Sequence, residues 1–179
     1  MLDASSAGRR TMALSVDIST AAILRHVVAR SHRRRSLYPD AGSRAKAARR
    51  IADCCVRHRL QCIVWCVTDR FLHLVVRGTP GKITLATDEL AGASLRHGHC
   101  LSTIVNLDIY LLEVARHALH APVRGGLVRR AIDWPHSSAR ESFGLSPAPP
   151  WLDPTPLYDL LGPRDGKESA RFRRFMDSR

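Results

Sequence analysis

Lysine is scarce in this 179-residue chain. It stands only at positions 46, 82 and 167, so the positive charge is almost entirely arginine. Tyrosine is as rare, with Tyr38, Tyr110 and Tyr158 the only three. No apolar run approaches the ~20 residues of a helical membrane span, so no membrane partner is expected. Residues 1–12 lack an apolar signal-peptide core with a small-residue cleavage site, and 1–20 read as a flexible leader. Cysteine is few and odd in number, at 54, 55, 62, 66 and 100. Four of the five fall in apolar elements, which predicts reduced, structural thiols in a cytoplasmic protein. Cys62 and Cys66 are four apart on a strand and are expected to share a face. No second Cys or His pair at zinc-finger spacing answers them.

Acidic residues are outnumbered. Twenty-eight Lys and Arg against sixteen Asp and Glu give a formal charge of +12. Arginine clusters at 33–35, 49–50, 129–130 and 171–174. Its planar fork suits phosphates and stacks on bases, so the composition points to nucleic acid. An arginine-rich proteome from a high-GC genome would show the same excess, and composition alone does not separate the two.

The densest apolar stretch runs from Cys62 to Arg77. It reads as two strands, 61–68 and 71–77, joined by the turn Thr68-Asp69-Arg70. Alternation sends Phe71, His73 and Val75 to one face of the second strand, and Leu72, Leu74 and Val76 to the other. Ala22 to Arg30 reads as an earlier strand. Ser43 to Arg59 reads as a helix with an Ala47, Ile51, Cys54, Cys55 stripe. Gly78-Thr79-Pro80-Gly81 marks a break, after which Thr87 or Asp88 caps a short helix to Leu95. Leu101 to Asn106 reads as a fourth strand. Asp108 caps a helix to His120, which Pro122 stops. Residues 131–165 hold seven of the ten prolines and read as a loop-rich arm, followed by a short basic helix from Lys167. No internal repeat is present. The order predicts an α+β, ferredoxin-like βαββαβ antiparallel sheet with an appended C-terminal helix and a Pro-rich arm. Helices on one face would leave the other for a ligand. The expected divisions are 1–20, 21–130 and 131–179.

Several pieces resemble the HUH single-strand transposases, in particular the tyrosine transposases associated with repetitive extragenic palindromes. His26-Val27-Val28-Ala29-Arg30 is similar to that family's opening strand. The hairpin at 62–76 stands where the family carries a His-hydrophobic-His strand. Tyr110 to Arg116 and Pro122 to Val128 resemble its last helix and the following turn. Asp133-Trp134-Pro135-His136-Ser137-Ser138, Trp151-Leu152-Asp153 and Arg171-Phe172-Arg173-Arg174-Phe175 resemble its arm and tail. The resemblance implies metal-assisted cleavage of DNA, with two strand histidines on a divalent cation and a helix tyrosine as nucleophile.

The chain departs from that pattern at the chemistry. Phe71 replaces the first histidine, leaving His73. His117 stands at the tyrosine position, and Ala121 one turn on, where a polar ligand is common. The 81–101 segment is also shorter than the family norm. One imidazole does not make a usual Mg or Mn site, so no cofactor is expected unless a rearranged site uses His73 with His117 and His120. Tyr110 is a remote alternative nucleophile, two turns before His117 and about 10 Å away along the axis. Three readings follow. The first is a domesticated, inactive, nucleoid-associated protein that binds single-stranded or hairpin DNA. Its expected contacts are Arg25, Arg30, Arg33, Arg34, Arg35, Phe71, Arg124, Arg171, Arg173 and Arg174. The second is an active metal-dependent nickase with a rearranged site. The third is a protein-interaction or regulatory module. The oligomeric state is left open.

Overall fold

Alternation along the second hairpin strand sets the layers. The computed structural model describes residues 21–31, 36–94, 98–105 and 108–178. Its elements run β1 (Ile23–Ser31), α1 (Ala41–His58), β2 (Gln61–Val67), β3 (Phe71–Gly78), α2 (Pro80–Ser94), β4 (Gly98–Ile104) and α3 (Asp108–Leu119). The four strands form one antiparallel sheet in the order β2-β3-β1-β4. This is the ferredoxin-like α+β arrangement that the element order predicts. The leader and Arg33, Arg34 and Arg35 lie outside the described residues.

Leu72, Leu74 and Val76 meet Val27 and Ala29 of β1 and the stripes of α1 and α2 in one core. The α1 stripe is Ala47, Ile51, Cys54 and Cys55, as the periodicity predicts. Asp40 starts this helix with a capping box: Ser43 N donates to Asp40 Oδ1 at 2.7 Å, and Asp40 N donates to Ser43 Oγ at 3.2 Å. The second helix starts earlier than its sequence suggests. Pro80 tolerates the first helical turn, where its missing N–H has no partner to lose. Thr87 is therefore interior, and its hydroxyl donates to Ile83 O at 2.7 Å.

The other face of the sheet is not left bare. Ile63, Val64 and Val75 are fully buried there beneath Leu111, Ala115 and Leu119 of α3. Apolar side chains on both faces of β2 and β3 demand cover on both. That corrects the expectation of helices on one side only. A register shift between Cys62 and Val64 also turns the strand. Cys62 joins the α1 side and Cys66 the α3 side, so the two thiols do not share a face.

After α3 come α4 (Ala121–Arg124), a 3-10 turn (Ala131–Asp133), α5 (Ala139–Ser142), α6 (Thr155–Asp159) and α7 (Glu168–Asp177). The proline-rich segment follows the outer edge of β2. Val67 N donates to His136 O at 2.8 Å, Ser138 N to Trp65 O at 2.9 Å, and Asp153 N to Cys62 O at 2.8 Å. This covers an edge that would otherwise offer unpaired peptide groups. Phe172 and Met176 of α7 complete the α3-side core, with Phe172 edge-on to Phe143 at 5.7 Å. Among the described residues no helix is long and apolar enough to cross a membrane.

Replacing Phe172 with Ala should cost about 3–5 kcal/mol in urea unfolding, because its fully buried ring leaves a cavity under α3. A loss below about 1 kcal/mol would mean that the C-terminal segment packs independently of the sheet.

Candidate functional site

The site grows from two strand positions. β1 pairs with β3 so that His26 lies opposite Val75, and His73 opposite Val28. The two histidines are thus diagonal neighbours on one face. His26 Nε2 and His73 Nδ1 are 3.2 Å apart, and their rings stack with centroids 5.4 Å apart. One imidazole N–H donates to the other's bare nitrogen.

α3 supplies the third ring. Its apolar side is held down on the sheet, which leaves His117 at the lip of a cleft above His73. The His117 ring stands edge-on to His73 at 5.3 Å and to His26 at 6.5 Å. Arg124 closes this end, its Nη2 donating to His117 O at 2.7 Å. That placement sets a guanidinium on the carbonyl end of α3.

The cleft has two lobes that share His117 and Arg124. One, of about 650 Å³, reaches toward His26, Glu113, Arg116 and His120. The other, of about 480 Å³, is lined by Thr68, Asp69, Arg70, Phe71, His73 and Ala121. Beside it the Arg30 guanidinium lies 5.8 Å from the Phe71 ring centroid, and the Phe71 ring stacks with His73 at 5.7 Å.

Burial keeps the imidazoles neutral. His73 is 3% exposed. Burial first, then His26, His117 and Arg124, bring its pKa down to about 3. Burial and His117 bring His26 down to about 4. Burial and then Arg124 also lower His117. The cleft therefore carries fixed positive charge from arginine and neutral hydrogen-bonding groups from histidine.

This donor set does not fit the Mg or Mn that the family resemblance implies. Phe71 offers no ligand atom and Ala121 none. His26 and His73 spend a nitrogen on each other, and Arg124 places a cation beside them. Among the described residues the three imidazoles do not bring three ligand atoms within 4.8 Å of one another. His120 lines the His26 lobe and His73 the other.

The remaining expected residues are dispersed. Tyr110 is 59% exposed and sits in a separate hollow of about 380 Å³ with His26, Thr103 and Ile104. Arg25 is on the opposite face of β1 from His26, and its Nη1 donates to Ser102 Oγ at 3.3 Å. Arg171 pairs with Asp165 at 2.8 Å and holds the approach to α7. Arg173 and Arg174 are exposed on α7, and Arg173 lines a hollow with Arg129, Arg130 and His120. Arg30, Phe71, His73, His117 and Arg124 come together. His26 was the residue not singled out by sequence. Its neighbour is set by strand register, which no local pattern reveals.

No family model matches the chain, and no curated protein matches it. Among solved structures, a REP-associated tyrosine transposase bound to a REP hairpin is similar over 73% of this chain and 88% of its own. The TM-score is 0.55 and the identity 16%. The likeness is one of fold.

Acid should weaken this fold through the histidine pair. The unfolded chain takes up protons near pH 6.5 and buried His73 only near 3, so stability is lost as pH falls between those values. Urea melts at pH 7 and pH 5 should differ by about 2 kcal/mol from His73 alone. His73→Gln should remove that share of the difference. An unchanged pH dependence in the variant would place the loss elsewhere.

Proposed function

We propose that this chain binds single-stranded or hairpin DNA in the cleft between β3 and α3 and does not cleave it. The observation that carries the reading is the pairing of retained cations with lost chemistry in one cleft. Arg30, Arg70 and Arg124 border it. Phe71 and His117 occupy the positions where the resembling transposases carry a metal-binding histidine and the nucleophilic tyrosine. The fold shared with a transposase that is bound to a hairpin supports the choice of ligand. Association with the nucleoid follows from the same reading.

Each part has a physical role. Arg124 neutralises a phosphate at the junction of the lobes. Arg30, lying on Phe71, offers its outer plane to an unstacked base. His117, neutral and at the lip, exchanges hydrogen bonds with a base edge or a phosphate oxygen. The paired His26 and His73 form a floor that neither repels nor attracts a phosphate by charge.

Fluorescence anisotropy with a labelled hairpin should show binding that weakens linearly on a log–log salt plot. Arg124→Gln should lower affinity about five- to tenfold and reduce the slope by about 1. Phe71→Ala should cost single-stranded DNA about 1–3 kcal/mol and spare duplex. Binding that ignores salt would contradict the proposal and favour a protein partner for this face. A covalent or cleaved product with Mn²⁺, lost in His73→Ala or His117→Ala, would establish a rearranged nickase.

A further inference from the structure

A second cluster of chemical side chains lies across the sheet from the cleft, between α1 and α2. Cys54 and His58 are one turn apart on α1 and share its inner side. Glu89 meets them from α2. His58 Nε2 is 2.9 Å from Glu89 Oε2, while Arg57 holds the other carboxylate oxygen. Cys54 is 1% exposed, and its Sγ reaches only a long contact, 3.5 Å, to Ala86 O. A sulfur, an imidazole nitrogen and a carboxylate oxygen lie within 4.8 Å of one another, and no other group of three does so among the described residues.

We propose that Cys54, His58 and Glu89 form a zinc-class divalent metal site that staples α1 to α2. Thiolate, imidazole and carboxylate are the ligand types that zinc accepts together, and oxygen-seeking Mg or Ca would not take the sulfur. Tetrahedral zinc with ordinary bond lengths spaces its ligands about 3.3–3.8 Å apart. The His58–Glu89 pair, at 2.9 Å, therefore opens by a few tenths of an ångström to admit the ion beside Cys54. Two anionic ligands balance the charge of the ion. Arg57, on the outer carboxylate oxygen, fixes Glu89 as an outer-shell partner does.

Binding exchanges bonds simply. The Cys54 S–H bond breaks, its proton leaves to solvent, and a sulfur–metal bond forms. The His58–Glu89 contact gives way to two metal bonds. Water fills the fourth position from the Glu89 side, where that side chain is 37% exposed and His58 17%. Isolated from the cleft by the sheet, the site neither requires DNA binding nor is required by it.

The test is a titration of the full reduced chain with Co²⁺, followed by competition with Zn²⁺. One equivalent should bind, with a near-ultraviolet thiolate-to-cobalt band and tetrahedral visible absorption, and zinc should displace it. Zinc should also raise the melting temperature. Cys54→Ser should lose the thiolate band, and Glu89→Gln should weaken binding about tenfold. Circular dichroism checks that both variants fold, and His73→Gln should bind as the parent does. Failure of the parent to bind, a spectrum without thiolate character, or equal binding by Cys54→Ser and Glu89→Gln would overturn the proposal. Loss of binding in His73→Gln would do the same by moving the metal to the cleft.

Discussion

Burial of the β2–β3 hairpin on both faces is the constraint on which this structure depends. Val76 and Val75 are successive residues pointing opposite ways, and each is buried. One face is closed by α1 and α2, the other by α3 and the C-terminal helices. On the α3 side of the sheet, polar chemistry survives where that cover stops short. That place is the β1–β3 junction beneath the end of α3, and the histidines collect there. The bulge after Cys62 sharpens the division by sending Ile63 and Val64 to the same side.

The His26–His73 contact sets the character of the cleft. Two imidazoles that spend nitrogens on each other, one of them 3% exposed, form a stable neutral floor. Burial outweighs any tendency of either ring to hold a proton near neutral pH. Positive charge is instead supplied at the rim by arginine, whose charge survives any such environment. Under the proposed function these rim arginines are what meet the phosphates, and the neutral floor adds no charge of its own.

Most of the architecture was legible because period-two and period-3.6 patterns are local. β3 and α1 lie where alternation and the Ala47–Ile51–Cys55 stripe place them. What was hidden is what depends on partners distant in sequence. Strand register brings His26 beside His73 across a gap of 47 residues. A one-residue irregularity separates Cys62 from Cys66. Glu89 meets Cys54 and His58 only after two helices pack. The role of Arg171 is fixed by Asp165, so a basic cluster in the tail lost one member to internal pairing. The proline-rich stretch read as an arm because short helices carry little periodicity. Its hydrogen bonds to the β2 edge make it part of the same packed body.

The most direct measurement is imidazole-resolved ¹H–¹⁵N NMR at pH 7 during titration with a short DNA hairpin. His26 and His73 should appear neutral and hydrogen-bonded before any DNA is added. The His117 signals should then move with DNA, together with those of the Arg124 side chain, while the protein mass stays unchanged in the presence of Mn²⁺. Saturable binding that leaves these signals still, and moves those of Arg173 and Arg174 instead, would contradict the assignment of the cleft as the DNA site.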